Sequence, residues 1–165
     1  MTPPALHGIH SILYAFFDAD ERLDRAAMRR QVEVSVESGA HGIAALGLAT
    51  EVAKLSERER FTVMDWAAED NAGRKPLGLT IFGSSVAQQI DGARHAASVK
   101  ADWIILQPPM AGGSALEHIR FFGRVADATD LPVAIQNAPA YFGRGLSADE
   151  IATLCRQHPN VCLLK

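Results

Sequence analysis

Short apolar segments alternate with longer amphipathic segments along the whole chain. The apolar segments predict β-strands, and the segments between them repeat with the period of a helix. The predicted strands are Ile9–Ala15, Gly42–Leu46, Pro76–Phe82, Trp103–Gln107, Pro132–Gln136 and Val161–Leu164. The predicted helices are Leu23–Ser38, Glu57–Asn71, Val86–Val99, Ala115–Ala128 and Ala148–Gln157. Successive strands begin roughly 30 residues apart, which is the size of a βαβ unit.

Four of the predicted helices begin with a serine that is followed three residues later by Glu or Gln. In such a capping box, the two side chains bond free backbone N–H groups at the helix start. The pairs are Ser56/Glu59, Ser85/Gln88, Ser114/Glu117 and Ser147/Glu150.

Strands as apolar as WIIL and VCLL are typical of parallel sheets covered by helices. An open doubly wound sheet and a (β/α)8 barrel both fit this α/β pattern. An open sheet that binds a nucleotide usually has a glycine-rich turn after strand one, but here the turn reads AFFD. We therefore favour the (β/α)8 TIM barrel, which needs eight strands and about 250 residues. We expect residues 1–165 to be the N-terminal portion of one barrel domain, with strands seven and eight and any C-terminal helices outside this chain.

Composition and charge narrow the class of protein. Apolar residues make up 48% and charged residues 21% of the 165 residues, as in ordinary globular domains. No apolar run reaches the roughly 18 residues that span a membrane, and the start, MTPPALHGIH, lacks the pattern of a secretion signal. A net charge of −3 without a basic cluster argues against a nucleic-acid partner. Cys155 and Cys162 read as buried free thiols, so we expect a cytoplasmic protein.

Catalytic groups of a barrel lie at the carboxyl ends of its strands, and the sixth strand ends in Lys165. Residues two apart share a face of a strand, so alternation assigns Val161, Leu163 and Lys165 to one face and Cys162 and Leu164 to the other. If the first face points to the barrel axis, burial favours the neutral amine, which attacks ketones and forms Schiff bases. From the residues alone, Lys165 can equally be an ordinary charged residue at the end of the chain.

Five segments, taken in order and spacing, resemble one known family. They are GIAALGLATEVAKLSERER, GRKPLGLTIFG, ADWIILQPP, LPVAIQNAPAYFGRGLS and HPNVCLLK. Together they are similar to the dihydrodipicolinate synthase and N-acetylneuraminate lyase superfamily, the DapA-like Schiff-base lyases. The resemblance covers essentially the whole chain.

The resemblance implies a (β/α)8 barrel, commonly a homotetramer or homodimer, that uses no metal or organic cofactor. Lys165 matches the family's lysine at the end of strand six, which implies a covalent imine with a small 2-keto acid. Gln136 stands at the position of a catalytic tyrosine. The residues that match substrate-binding positions are Gly47, Leu48, Ala49, Thr50, Glu51 and Asn137. The histidines agree with the absence of a metal, because none shows H-x-H or HExxH spacing.

Departures from the family pattern change the expected reaction. The turn after strand two usually reads G-T-T-G-E, but here Leu48 and Ala49 replace both threonines. Gln136 replaces the proton-shuttling tyrosine, and a carboxamide cannot transfer a proton near neutral pH. The tyrosine after strand four is also missing, since Pro109 and Met110 stand there. These losses argue against a dihydrodipicolinate synthase.

The remaining pattern looks more like the branch that dehydrates 2-keto-3-deoxy sugar acids. That branch tends to have a Gln-x-Ala-Pro order, here beginning at Gln136, and a small hydroxyl residue followed by Glu, here Thr50 and Glu51. We expect such a dehydration, with water or Glu51 transferring the protons. Two alternatives stay open: a pyruvate-dependent aldolase or synthase, and a catalytically silent barrel that binds a keto acid.

Overall fold

A computed structural model describes residues 6–110, 113–143 and 145–165. Strands and helices alternate through these ranges as the sequence predicts. The strands are β1 (His10–Ile12), β2 (Gly42–Ala45), β3 (Leu77–Ile81), β4 (Trp103–Leu106), β5 (Val133–Ile135) and β6 (Val161–Leu164). The helices are α1 (Arg25–Glu37), α2 (Glu57–Asn71), α3 (Val86–Ser98), α4 (Ala115–Ala126), α5 (Pro139–Phe142) and α6 (Ala148–Gln157). The single turn α5 is not predicted from the sequence pattern.

The strands form one parallel sheet in the order β1-β2-β3-β4-β5-β6. Each strand therefore pairs with its successor in the chain. A doubly wound sheet reverses its strand order at a switch point, whereas a barrel wall runs on in one direction. The topology thus decides between the two predicted architectures in favour of the barrel.

β1 is shorter than predicted. Of the predicted segment Ile9–Ala15, only His10–Ile12 form a strand paired with β2. Beyond it the chain turns back, and Phe17 forms an isolated antiparallel bridge with Leu23. Apolar composition indicates burial and an extended backbone, but it does not indicate where pairing stops.

The helix starts follow the predicted caps. Both halves of each capping box are formed at α2, α3, α4 and α6. α1 begins at Arg25 rather than Leu23, because the Asp24 side chain accepts from the N–H groups of Ala26 and Ala27. Within the described ranges, no helix combines the length and the apolarity that crossing a membrane would require.

Side chains of the sheet divide between two apolar layers. Outward-facing residues such as Ile43, Leu79 and Ile104 pack against the helices in the main core. Inward-facing residues form a second, smaller cluster. Its buried members are Trp103, Ile105 and Ala134, with Leu6 and Leu163 packed against them. This inner cluster forms the floor below the strand ends.

Two glycines make room for aromatic rings inside the barrel. A Cβ at Gly78 would lie 2.4 Å from the Trp103 ring, and a Cβ at Gly42 would lie 2.2 Å from the His10 ring. The two rings contact each other edge to face, with centroids 5.8 Å apart. Small residues on β2 and β3 therefore let two large side chains fill the end of the barrel opposite Lys165.

Candidate active site

A β-bulge in β6 decides the direction of Lys165. Val161 and Leu163 pair with consecutive residues of β5, so Cys162 between them is an extra residue. Val161 packs with the helices, whereas Leu163 packs in the inner cluster. The prediction that Val161 shares a face with Leu163 and Lys165 is therefore wrong, because the bulge shifts the alternation by one residue. After the shift, Leu163 and Lys165 both belong to the inner face.

The amine of Lys165 reaches across the open end of the sheet. Its Nζ lies 3.4 Å from the point where a Cβ of Gly47 would stand, on the turn after β2. The side chain lines a cavity of about 420 Å³ on the inner face of the sheet. Burial lowers the pKa of the Lys165 amine, because an apolar environment disfavours the charged form. Apolar residues in the cavity wall include Ile12, Ala44, Ile105, Ala134 and Leu163.

Gln136 stands beside Lys165 on the neighbouring strand. The N–H of Lys165 donates to the carbonyl of Ile135 at 3.0 Å, and the N–H of Asn137 donates to the carbonyl of Lys165 at 2.9 Å. These two bonds bracket Gln136, which shares the inner face with Ala134 by alternation. The side chain of Gln136 is buried. The structure therefore brings two of the predicted residues, Lys165 and Gln136, to adjacent positions.

The Gln136 carboxamide bonds that of Gln107, and a third glutamine, Gln89, holds the backbone of Gln107. Gln107 Nε2 donates to Gln136 Oε1 at 3.0 Å. Gln89 Nε2, on α3, donates to the backbone carbonyls of Gln107 at 2.9 Å and Gly83 at 3.0 Å. All three glutamines are buried. The sequence pattern alone misses Gln107 and Gln89, because the first reads as the end of an apolar strand and the second as an ordinary helix position.

The turn after β2 has a strained backbone. Leu46 and Glu51, near its two ends, have positive φ angles of 63° and 55°, which residues with side chains rarely adopt. The hydroxyl of Thr50 is buried and donates to the carbonyl of Leu13 at 2.6 Å. Thr50 therefore anchors the turn to the end of β1, and its donor is not available to a ligand.

The same turn presents backbone groups below the amine. Leu48–Thr50 form a single 3-10 turn that begins at Gly47. The first N–H groups of such a turn, here those of Leu48 and Ala49, have no partner within it. The Lys165 amine lies over Gly47, so these donors belong to the turn that the amine contacts.

Glu51 and Asn137 lie nearby, but their polar atoms are engaged elsewhere. The Glu51 carboxylate pairs with Lys54 Nζ at 2.6 Å and lines a second cavity of about 290 Å³ at the barrel mouth. Asn137 Nδ2 donates to the carbonyl of Leu146 at 2.9 Å, and Asn137 Oδ1 accepts from the N–H of Leu146 at 2.8 Å. Asn137 thus holds the loop after β5, and the structure does not bring its amide to Lys165.

These groups together suit one kind of chemistry. An amine with a lowered pKa lies over a turn with free N–H groups, and a neutral amide stands at the end of the neighbouring strand. Such a set can capture a carbonyl compound covalently and hold a carboxylate beside it. Across the described ranges, His, Cys, Asp and Glu side chains form no group of three that could hold a metal ion.

Known proteins share both the sequence pattern and the fold. Residues 5–165 match the Dihydrodipicolinate synthetase family. The chain is 34% identical over 156 residues to an uncharacterized DapA-like lyase of Halobacterium salinarum, covering 92% of this chain and 50% of that protein. It is 30% identical over 162 residues to the 4-hydroxy-tetrahydrodipicolinate synthase of Stenotrophomonas maltophilia, covering 98% of this chain and 54% of that protein.

A solved structure supports the same relationship. YagE, a prophage protein of Escherichia coli K12 in the dihydrodipicolinic acid synthase family, was crystallised in complex with pyruvate. Its TM-score to this chain is 0.93 at 28% identity, covering 98% of this chain and 54% of YagE. YagE is itself proposed to be a 2-dehydro-3-deoxy-D-gluconate aldolase. The chain spans about half the length of the curated relatives it matches, and its six strands are part of the barrel.

The lowered pKa of Lys165 predicts a shifted pH dependence for acetylation of its amine. Trace acetic anhydride reacts with the neutral amine, so acetylation of Lys165 should increase with pH around a midpoint below the value of about 10.4 for a free lysine. Peptide mass spectrometry of the protein at its natural length measures this midpoint, with the Lys100 peptide as the internal reference for reagent.

Variants of Gln136 test whether an uncharged environment is the cause of the lowered pKa of Lys165. Gln136→Glu adds a carboxylate beside the amine and should raise the midpoint, because a nearby negative charge favours the ammonium form. Gln136→Met adds no charge and should leave the midpoint low. A midpoint of the wild type at the free-lysine value would contradict desolvation of the amine.

Proposed function

The chain belongs to the dihydrodipicolinate synthetase family, and on that premise we propose that it carries the nucleophilic lysine of a lyase that forms a Schiff base with a 2-keto acid. The observation that carries the proposal is the position of the Lys165 amine, partly buried at the carboxyl end of β6 and lying over Gly47. The family contains lyases and aldolases, which supports an enzymatic role.

The lowered pKa matters because only the neutral amine attacks a ketone. A lysine with a pKa of about 10.4 is neutral in about one molecule of 2,500 at pH 7. Each unit by which the pKa falls raises that fraction about tenfold, at about 1.4 kcal/mol. The neutral amine adds to C2 of the keto acid, and the adduct loses water to give a protonated imine. The positive nitrogen then withdraws electrons from C3.

The proposed reaction of this imine is the dehydration of a 2-keto-3-deoxy sugar acid. A proton leaves C3, which converts the imine into an enamine. The electron pair of the enamine expels the C4 hydroxyl, which takes up a proton and departs as water. Hydrolysis of the resulting unsaturated imine releases the product and returns the Lys165 amine. Because Glu51 is paired with Lys54, we assign the proton transfers to water.

Gln136 supports dehydration over aldol cleavage. Its Oε1 accepts a hydrogen bond from Gln107, which leaves its NH2 group as the donor for a substrate. Departure of the C4 hydroxyl builds negative charge on that oxygen, and a fixed N–H donor stabilises the charge. Aldol cleavage needs a base to remove the proton of the same hydroxyl, and a carboxamide cannot accept it.

The turn after β2 supports binding of the substrate carboxylate. A keto acid joined to Nζ through C2 carries its carboxylate on the adjacent carbon. Since Nζ lies over Gly47, that carboxylate comes next to the N–H groups of Leu48 and Ala49. Backbone N–H groups at the start of a helical turn favour an anion. Leu48 and Ala49 therefore bind through the backbone, with no threonine hydroxyl.

The proposal includes the setting in which the enzyme works. The protonated imine is its own electron sink, so the reaction uses no metal or organic cofactor. We propose a cytoplasmic homo-oligomer, a tetramer or dimer as the family resemblance implies, acting on a small 2-keto acid. A pyruvate-dependent aldolase or synthase is the second candidate, favoured by the relatives of those names and by the pyruvate complex of YagE.

Covalent trapping tests the role of Lys165. Borohydride added with pyruvate to the protein at its natural length should reduce the imine to a stable adduct, located on Lys165 by peptide mass spectrometry. Lys165→Arg should abolish the adduct, because a guanidinium stays protonated and cannot attack a carbonyl. Lys54→Arg is the matched control and should keep the adduct. An adduct on another lysine would contradict the role of Lys165. The absence of any adduct in the wild type would indicate a catalytically silent barrel.

Product analysis separates the dehydratase from the aldolase. Incubation with 2-dehydro-3-deoxy-D-gluconate, a 2-keto-3-deoxy sugar acid, should give a product lighter by one water and no free pyruvate. Condensation of pyruvate with aspartate semialdehyde should be negligible. Gln136→Ala should lower the dehydration rate about 10- to 100-fold without unfolding the protein, since it removes one donor at the developing charge. Release of pyruvate, or efficient condensation, would replace the dehydratase by the aldolase or synthase.

A further inference from the structure

The ends of β4, β5 and β6 place three side chains in one row. Leu106 pairs with Ile135, and Ile135 pairs with Leu164. The next residue along each strand is Gln107, Gln136 and Lys165, in that spatial order. In this row, Gln136 stands between Gln107 and Lys165.

The position of Gln107 is fixed from outside the barrel. Its backbone carbonyl accepts from Gln89 on α3, and its N–H donates to the carbonyl of Ile81 at 3.3 Å. Gln107 is almost fully buried, with 1% of its surface exposed. These two bonds fix the backbone of Gln107, and burial restricts its side chain, whose one hydrogen bond in the described ranges is the bond to Gln136.

The direction of that bond determines which end of the Gln136 carboxamide is available. Gln107 donates through Nε2, and Gln136 accepts through Oε1 at 3.0 Å. Gln136 Nε2 has no acceptor among the described residues. A carboxamide that rotated by half a turn would instead present its oxygen to a substrate. The two orientations differ in whether the site offers a donor or an acceptor.

We infer that Gln107 is a positioning residue that holds Gln136 with its NH2 group toward the C4 hydroxyl of the substrate. The inference rests on the proposed dehydration and adds to it the residue that sets the direction of the donor. Gln107 also lines the cavity at the barrel mouth, but the role inferred for it is to orient Gln136. It acts only through Gln136, and only on the step at C4.

Two variants of Gln107 with side chains of similar size distinguish the orienting of Gln136 from a role in packing. Gln107→Met removes the hydrogen bond and leaves Gln136 free to rotate. Gln107→Glu substitutes an acceptor for the donor, so Gln136 turns its NH2 group to the new carboxylate and its oxygen to the substrate. The two variants fill nearly the same volume, and any loss of stability from the buried carboxylate lowers both reactions described below alike, so a packing role predicts equal ratios of their rates.

Two reactions of the protein at its natural length give the readouts. Exchange of the pyruvate methyl protons in D2O, followed by NMR, reports the imine and enamine at Lys165, and pyruvate has no C4 hydroxyl. Dehydration of 2-dehydro-3-deoxy-D-gluconate reports the same lysine chemistry plus the step at C4. The ratio of the two rates therefore isolates that step and cancels any effect of the added charge on the lysine.

The expected ratio falls about two- to threefold in Gln107→Met and about tenfold or more in Gln107→Glu, the size of one hydrogen bond lost or reversed. In a Gln136→Met background the two substitutions should no longer differ, since the residue they act through is gone. Equal ratios in the two single variants, or a difference that persists without Gln136, would overturn the inference. Wild-type protein that exchanges no deuterium would contradict the proposed function itself, before any variant is compared.

Discussion

The rest of this site depends on the contact between the amine of Lys165 and the apolar side chains of its cavity wall. Ile12, Ala44 and Leu163 lie in the wall of its cavity and offer no group that stabilises a charge. The amine responds with a lowered pKa, which makes it a nucleophile at moderate pH. The barrel supplies the apolar wall through its inner cluster, and the strand ends supply the polar groups. Fold and chemistry therefore meet at a single residue at the end of β6.

The bulge at Cys162 is what turns Lys165 to that position. Val161 faces the helices, and strict alternation from it would direct Lys165 to the same side, into the layer between sheet and helices. One extra residue in β6 shifts the alternation of side chains between the two faces of the strand, so that Leu163 and Lys165 face inward. Bulges are frequent next to active sites, where they redirect a side chain. Here the irregularity of one strand is a condition for the proposed reaction.

Sequence reasoning reaches the architecture because local signals agree with it. The four serine capping boxes and the apolar strands mark most element starts, and the structure forms them. The bulge has no such signal, since VCLLK shows no glycine or break in its apolar run. The roles of Thr50 and Asn137 also depend on partners that are distant in sequence or across a loop, Leu13 and Leu146. Gln107 becomes visible only when β4 and β5 are seen to end in register.

A crystal structure of the protein at its natural length with pyruvate tests the central claim most directly. Continuous electron density from Nζ of Lys165 to C2 of pyruvate is the expected result. The pyruvate carboxylate should lie at the N–H groups of Leu48 and Ala49, on the turn over which the amine lies. Pyruvate bound without a bond to Nζ, or bound to a lysine elsewhere in the chain, would contradict the account.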